Sequence, residues 1–323
     1  MSTPHSTLHH CLRIALSLAG LAGAITVAAD TAPAPSSSQY TPTPQSLLAA
    51  SRPDEWRRPD PANLLVMQLP QGRVVIELAP DFAPQHVANI RTLAREHYWD
   101  GLAIERVQDN FVVQWGDPNG NDGGDPKKIK PLGQAKATVP PEFTRPLDTR
   151  LDWTPMPDGD IYAPEAGFSE GFPSGRDPAG RHMWLAHCYG MVGVGRDIAP
   201  DSGSGSELYA VIGQSPRALD RNIALVGRVL EGMPYLSALP RGNGPLGFYT
   251  RASERTPILS VRLASDLPPA QRPALEVLRT DSPTFRALLR AKRDRHDAFY
   301  TRPVDRIDLC AISAPVRTLA AKP

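Results

Sequence analysis

Three side chains between residues 104 and 114 have the types needed to bind an uncharged group and stabilise charge that develops on it. Arg106, Phe111 and Gln114 lie on or beside one predicted apolar strand and offer a permanent positive charge, an apolar ring and an amide. A fixed guanidinium beside an apolar pocket stabilises developing electron density without a nucleophile. The alternative is that Arg106 is a solvated or salt-bridged strand residue, which is the commoner situation for an arginine.

No metal, cofactor or nucleophile site is predicted elsewhere in the chain. His182, His187 and Cys188 lack a fourth ligand and a suitable spacing for a metal. Residues 117–125 begin like a calcium loop but lack its glycine and its closing glutamate, so a turn is expected. The histidines lie near no nucleophile-elbow or Cys–His signature, which gives no support to a hydrolase. We therefore expect no cofactor.

Short strands and one helix must position these side chains. Residues 63–69 and 73–78 are predicted to form a β-hairpin, because apolar residues alternate along the second segment. Pro84 begins a predicted helix that keeps its apolar residues on one face, and a break ending at Gly101 follows it. The strand that carries Arg106 comes next. The 35 prolines, about twice the usual share, argue against a helical bundle.

The order of motifs along the chain resembles that of the cyclophilin-type peptidyl-prolyl isomerases. The first family block stands here as Ala83-Pro84, Trp99-Asp100-Gly101, Ile104-Glu105-Arg106-Val107, Phe111-Val112 and Gln114-Trp115-Gly116-Asp117. The second stands as Gly190-Met191-Val192-Gly193-Val194-Gly195, Ser206-Glu207-Leu208-Tyr209, Leu219-Asp220 and the run from Val226 to Met233. The resemblance covers residues 62–264, and it is specific because so many pieces follow in the family's order.

The resemblance implies a mainly β fold, with a closed, eight-stranded antiparallel barrel capped by two helices at residues 85–96 and roughly 231–239. Side chains would fill such a barrel, so the site would lie on its outer face. It also implies an enzyme, a peptidyl-prolyl cis–trans isomerase, that uses no metal and no cofactor. Its partners would be proline-containing segments of unfolded or partly folded proteins.

The same motifs imply the roles of individual residues. Arg106 matches the catalytic arginine of the family, and Gln114 matches the glutamine that holds the substrate backbone and orients the arginine. The substrate-binding matches are Phe111, Val112, Tyr209 and Leu219 in the proline pocket, with Gly195, Arg196 and Glu207 around the rim. For Val112, Tyr209 and Leu219 the barrel core is the alternative, since alternating strand residues satisfy both.

The chemistry of proline isomerisation suits such a site. Rotation about an X–Pro bond crosses a barrier of about 18–20 kcal/mol, because twisting destroys amide resonance. The twisted prolyl nitrogen regains a lone pair, and a guanidinium aimed at it binds the twisted state better than either planar state. A barrier lowered by roughly 5 kcal/mol gives a few thousandfold acceleration.

Several rim positions depart from the family pattern. Glu207 puts an acceptor-only carboxylate where the family has an amide, and it could pair with Arg106, either orienting or quenching it. Residues 195–197 replace Ala-Asn-Ala, and the pocket tryptophan and histidine become Ala218 and Ile223. These changes keep a second function class open, a cyclophilin-shaped binding or chaperone module with little or no turnover.

The first 29 residues are predicted to be a signal peptide. An uncharged apolar run of about 15 residues follows Arg13 and ends in small residues, which is short for a membrane span and typical of a secretory signal. An uncleaved anchor helix is the alternative. Cleavage after Ala29 would give a periplasmic protein with no stable membrane insertion, and the Pro/Ser-rich residues 30–61 would form a linker.

The chain has two additions to the predicted barrel of residues 62–264. An insertion at about 147–184 is rich in Pro, Gly and Asp. A C-terminal extension, residues 265–323, is predicted to pack on the barrel with an amphipathic helix from Ser282 to Tyr300 and a strand from Val304 to Ile312. A partner-binding helix is the alternative for the extension.

Charge and cysteine content limit the partners and the covalent links. Cleavage would remove one basic and no acidic residue from a chain of net charge +1, and a neutral mature protein offers no electrostatic footprint for nucleic acid. Cys188 and Cys310 would be the only thiols left. An exported protein can join them in a disulfide that ties the extension to the barrel, and two free thiols are the alternative.

Overall fold

Antiparallel strands form most of the regular structure in residues 42–120, 124–297 and 299–319, the part of the chain that the computed structural model describes. The helices are α1 (Pro44–Ala49), α2 (Pro84–Arg95), α3 (Met233–Ser237) and α4 (Pro283–Arg293). The strands are β1 (Trp56–Arg57), β2 (Leu64–Leu69), β3 (Gly72–Leu78), β4 (Ala103–Val107), β5 (Val112–Gly116), β6 (Arg145–Pro146), β7 (Thr154–Pro155), β8 (Glu165–Ser169), β9 (Phe172–Asp177), β10 (His182–Leu185), β11 (Met191–Val194), β12 (Leu208–Val211), β13 (Leu225–Glu231), β14 (Thr256–Pro257), β15 (Ser260–Leu263), β16 (Leu275–Leu278) and β17 (Val316–Thr318). The predicted signal peptide lies outside the described residues.

The main sheet has nine strands in the order β14-β4-β5-β12-β11-β13-β3-β2-β15. Both edge strands belong to one segment, because Thr256 pairs with Ile104 on β4 and Val261 pairs with Met67 on β2. Pro257, which has no N–H to donate, lies at the point where this segment leaves β4. The fold is therefore mainly β as expected, but the strand pairing does not confirm a closed eight-stranded barrel.

Two of the helices correspond to the predicted capping helices, with somewhat different bounds. Helix α2 begins at Pro84, whose fixed φ suits the first helical position, and it buries Val87, Ile90 and Leu93. These side chains join the interior cluster of the main sheet, together with Leu236 of the shorter helix α3. The second helix is shorter than predicted, because α3 ends at Ser237 whereas the expected helix ran to about residue 239.

A second sheet is formed by the segment expected as an insertion. Its five strands follow the order β6-β10-β9-β8-β7. Phe168, Phe172 and Met183 of this sheet are buried in a second apolar cluster. The same cluster includes Val112 and Tyr209 from the outer face of the main sheet, so the insertion covers part of that face.

A third sheet, in the order β1-β16-β17, joins the segment before the main sheet to the C-terminal extension. Trp56 of β1 pairs with Leu278, and helix α1 contacts helix α4, so part of the predicted linker is folded structure. The predicted strand from Val304 to Ile312 is wrong. Ile307 and Leu309 are buried there, but the Ile307 N–H donates to an Asp158 carboxylate oxygen (2.9 Å) rather than to a neighbouring strand.

The structure joins Cys188 and Cys310 in a disulfide with their Cα atoms 4.9 Å apart. Cys188 precedes β11 of the main sheet, whereas Cys310 lies in the C-terminal extension. Over the described ranges, no helix has the length and apolar character needed to cross a membrane.

Candidate active site

A cavity of about 680 Å³ opens on the outer face of the main sheet. It brings together eight of the nine residues predicted to be catalytic or substrate-binding: Arg106, Phe111, Val112, Gln114, Gly195, Arg196, Tyr209 and Leu219. The strand order places β4, β5 and β12 side by side, so residues that lie far apart in the chain meet at one surface. Glu207, the ninth, is not among the lining residues.

The guanidinium of Arg106 is held from three sides. Its Nη1 donates to Oε1 of Gln114 (3.0 Å), its Nε donates to the carbonyl oxygen of Leu246 (2.7 Å), and its Nη2 donates to Oε1 of Gln108. The rings of Phe111 and Phe248 each lie 5.4 Å from its central carbon. Three of the five N–H donors are thus used by the described residues, which leaves two for a bound molecule.

A bulge in β4 brings Arg106 beside Gln114. Ile104 pairs with Trp115 and Arg106 pairs with Gln114, so Glu105 is an extra residue in the ladder. Bulges commonly redirect side chains next to active sites. Burial lowers the pKa of the Arg106 guanidinium, while the nearby Tyr209 and Glu105 act to raise it. An arginine remains charged under these conditions, so the site keeps its cation.

The apolar wall of the cavity is separate from the interior apolar cluster of the main sheet. Val113 points into the interior cluster, and its neighbour Val112 belongs to the outer cluster instead, as strand alternation requires. Tyr209 likewise lies in the outer cluster, while Leu208 is interior. Leu219, at the end of a short 3₁₀ turn, is half-buried. These side chains therefore line the cavity and do not belong to the interior cluster of the main sheet.

Tyr209 is fixed by a buried polar group that the sequence did not single out for this role. Its hydroxyl lies 2.9 Å from Nε2 of His187, and Nδ1 of His187 lies 2.8 Å from Oδ1 of Asp220. Arg217 donates to the other carboxylate oxygen of Asp220 (3.0 Å). Burial, followed by the charge of Asp220, raises the pKa of Tyr209, so its hydroxyl stays protonated. Gly193 leaves room for the ring, since a Cβ there would lie 2.3 Å from it.

The rim of the cavity is charged. Arg196 donates from Nε and Nη2 to the carbonyl oxygen of Asn222 (3.0 and 2.9 Å), and its guanidinium lies 5.3 Å from the centre of the Phe143 ring. Gly195 donates its N–H to the carbonyl oxygen of Glu207 (2.9 Å), which ties the rim to the start of β12. The rim is therefore built by bonds to the backbone and is positively charged at Arg196.

The expected pairing of Glu207 with Arg106 is corrected by the structure. The Glu207 carboxylate accepts from the backbone N–H of Asp117 (2.8 Å), and it fills the space that a side chain at Gly116 would need. Burial and then the negative charge of Glu105 raise its pKa well above the ordinary value. It also interacts with the side-chain amide of Gln114. Glu207 thus lies behind Gln114 and not at the rim.

Three contacts of Arg106 and Tyr209 were not predicted: those made by Gln108, by the segment around Leu246 and by His187. Gln108 is two residues beyond Arg106, and this period-2 spacing is the one signal that could have found it. Leu246 lies 140 residues from Arg106, so no local pattern relates them. His187 adjoins Cys188, and it drew attention only as a rejected metal ligand.

Comparison with known proteins identifies the class of this fold and site. Residues 64–263 match the family described as cyclophilin type peptidyl-prolyl cis-trans isomerase/CLD. The match covers more than half of the chain, so the protein belongs to the cyclophilin-type peptidyl-prolyl cis–trans isomerases and is an enzyme of that class.

Individual relatives agree with the family assignment. A probable peptidyl-prolyl cis-trans isomerase of Brucella suis is 27% identical over 187 residues, which cover 57% of this chain and 74% of that protein. The peptidyl-prolyl cis-trans isomerase ppi1 of Schizosaccharomyces pombe is 43% identical over 58 residues, covering 18% and 37% of the two chains. Among solved structures, cyclophilin AquaCyp293 from Hirschia baltica has a TM-score of 0.65 and 30% identity, and covers 86% of this chain and 98% of its own.

Proposed function

We propose that this isomerase acts on proline-containing segments of unfolded or partly folded exported proteins, with Arg106 as the group that stabilises the twisted prolyl amide. The observation that carries the proposal is the fixation of the Arg106 guanidinium at the wall of an apolar cavity. Three acceptors and two aromatic rings fix its orientation, so little reorganisation is needed when the amide twists.

The prolyl ring would rest against the apolar wall formed by Phe111, Val112, Tyr209 and Leu219. Contact between the prolyl ring and this wall lowers the free energy of the bound complex equally for the cis and the trans peptide bond. The wall therefore contributes to binding but does not accelerate the isomerisation. The acceleration comes from the two remaining N–H groups of Arg106. They bind the prolyl nitrogen, or the group next to it, most strongly when the nitrogen carries a lone pair.

Gln114 would act as a positioning and backbone-binding residue. Its carbonyl oxygen accepts from Arg106, and its amide group interacts with Glu207. Gly195 and Arg196 would receive the residue before proline, and a side chain at Gly195 would come within 2.9 Å of Cβ of Glu207. These roles rest on the resemblance of the motifs and on the shared cavity.

The test is exchange NMR on a short Ala-Pro peptide with the mature protein and its Arg106→Ala variant. We expect wild-type protein to accelerate exchange between the cis and trans peptide signals and the variant to lose at least about a hundredfold of that acceleration. Arg150→Ala is the matched control, because Arg150 is an arginine whose side chain is 88% exposed. It is expected to behave as wild type.

The same spectra separate catalysis from binding. Peptide chemical shifts that change equally with wild type and Arg106→Ala, with exchange accelerated only by wild type, support the proposal. Equal exchange rates for wild type, variant and buffer would contradict it. The altered rim would then favour the second function class, a binding or chaperone module, and the retained shift changes would measure its affinity.

The proposed action on exported proteins depends on the N-terminal signal. Expression of the full chain in a Gram-negative host, followed by periplasmic extraction and mass determination of the N-terminus, tests it. We expect a mature protein that begins at Asp30, because cleavage after Ala29 follows the small-residue rule. An intact N-terminus in the cytosolic fraction would contradict this part of the proposal.

A further inference from the structure

The loop of residues 244–248 forms a wall of the cavity that the motifs did not predict. Pro245, Leu246 and Phe248 line the cavity beside Arg106. The loop is held against β4 on both sides, because Gly242 donates to the carbonyl oxygen of Val107 and Tyr249 donates to that of Glu105 (2.9 Å each). Its position relative to Arg106 is therefore fixed by the backbone.

Leu246 is exposed in a backbone conformation that leucine rarely adopts. Its φ is 55° and its ψ is 15°, in the left-handed region, and the residue is 67% exposed. The carbonyl oxygen of Leu246 accepts from Nε of Arg106, which explains the backbone direction. It does not explain the leucine, since glycine would satisfy the same conformation without strain. A strained, exposed apolar residue on a cavity wall points to a role for its side chain.

The order of the strands shows which part of a bound peptide would reach this side chain. From one side to the other, the surface runs from the 244–248 loop through β4, β5 and β12 to β11, with Gly195 just beyond the end of β11. The loop and the Gly195 rim thus lie on opposite sides of the proline pocket. A peptide whose residue before proline lies at Gly195 must direct its residues after proline toward Leu246.

We propose that Leu246 is a specificity-determining residue that selects an apolar side chain on the C-terminal side of the substrate proline. The inference rests on the proposed function, which sets the direction of the peptide. The wall that such a side chain would meet consists of Pro245, Leu246 and Phe248. The charged side chain of Arg106 next to this wall is covered by aromatic rings, with Phe111 and Phe248 each 5.4 Å from its central carbon. Apolar contact there releases water from both surfaces.

The experiment compares two peptides that differ only after proline, Ala-Ala-Pro-Leu-Ala and Ala-Ala-Pro-Gly-Ala. Exchange NMR gives kcat/KM for each peptide, and the readout is the value for the leucine peptide divided by the value for the glycine peptide. For wild type we expect a ratio of about five to ten, the size expected for partial burial of a leucine side chain. Leu246→Ala should bring the ratio close to one, and Leu246→Met should preserve most of it.

Two further variants separate the side chain from the backbone and from general damage. Leu246→Gly relieves the left-handed strain and also removes the side chain, so it should lose the ratio as Leu246→Ala does. Leu259→Ala removes a leucine that is 54% exposed and does not line the cavity, so it should keep the wild-type ratio. A general loss of folded protein lowers both rates equally and leaves the ratio unchanged.

A wild-type ratio near one, or a ratio that survives Leu246→Ala, would overturn the inference. The inference would also be overturned if Leu246→Ala changed the ratio of kcat/KM values for Ala-Leu-Pro-Ala over Ala-Gly-Pro-Ala. These two peptides differ only in the residue before proline, which Leu246 should not contact. If wild type shows no turnover, the proposed function fails, but the ratio of peptide dissociation constants from the same titrations still tests Leu246. The two failures are therefore distinguishable.

Discussion

His187 connects the apolar wall of the cavity to a buried carboxylate, with its Nε2 atom 2.9 Å from the hydroxyl oxygen of Tyr209. The imidazole is fully buried and its other nitrogen faces Asp220. The two rings lie nearly parallel, with an interplanar angle of 13°. The hydroxyl of Tyr209 is thereby held away from the cavity, and the ring is presented to it.

Tyr209→Phe should destabilise the protein although it removes only one oxygen atom. The change leaves Nε2 of His187 buried without its partner, which costs about 1–3 kcal/mol of the free energy of unfolding. Urea denaturation measures the loss. Tyr189→Phe is the control, because Tyr189 is 50% exposed and should show no change. Equal midpoints for wild type and Tyr209→Phe would show that the hydrogen bond contributes nothing to stability.

The acceptors that hold Arg106 should each matter for the rate. Gln114→Ala and Gln108→Ala each remove one hydrogen bond to a charged group, worth roughly 1.5 kcal/mol, and we expect kcat to fall about tenfold in each. Exchange NMR on an Ala-Pro peptide gives kcat and KM separately. Gln85→Ala, on the exposed side of α2, is the control. A change confined to KM would show that these residues bind the peptide without orienting Arg106.

Glu207 should make the protein less stable as the pH rises. Burial and the charge of Glu105 raise its pKa in the folded state, while the unfolded value stays near 4.5. The folded state therefore binds more protons than the unfolded state, and the free energy of unfolding falls as pH rises above about 4.5 toward the folded pKa. Glu207→Gln is neutral at every pH. It should raise stability at neutral pH and flatten this part of the pH profile.

Glu142 provides a control of opposite sign. Burial raises its pKa, but hydrogen bonds from the side chain of His86 and the backbone of Gln85 and His86 outweigh burial, so the net shift is downward. Its stabilisation is present above the unfolded pKa and is lost as pH falls. Glu142→Gln should therefore lower stability at pH 7. If both variants changed stability in the same direction, the assignment of charge states would be wrong.

The sequence predicted the parts of the site that are encoded by local motifs. Arg106, Phe111 and Gln114 lie within nine residues of one another. The order of the motifs around them predicted both the protein family and a site on the outer face of a β-sheet. The β-bulge at Glu105 could not be foreseen, because a one-residue shift in strand register leaves no mark in composition. The direction of the Glu207 side chain was predicted wrongly for a different reason, because its partner, the backbone N–H of Asp117, lies 90 residues away in the chain.

Long-range structure was harder to predict than the motifs. The contact between Arg106 and Leu246 depends on how a loop folds back on β4, and nothing in the spacing of residues 244–248 specifies that return. The strand predicted from Val304 to Ile312 failed for a related reason. The backbone N–H of Ile307 donates to Asp158, a side chain from the insertion, and strand propensity cannot anticipate such a partner.

The disulfide should stabilise the fold because it closes a long loop. Cys188 and Cys310 are 122 residues apart in the chain. Closing a loop of this length in the unfolded chain raises the free energy of unfolding by about 3–5 kcal/mol. We expect the double variant Cys188→Ser/Cys310→Ser to lose that amount in urea denaturation under non-reducing conditions. Wild type treated with a reductant should approach the same midpoint, whereas the double variant should not respond to the reductant. A reductant effect that persists in the double variant would mean that the stabilisation comes from elsewhere.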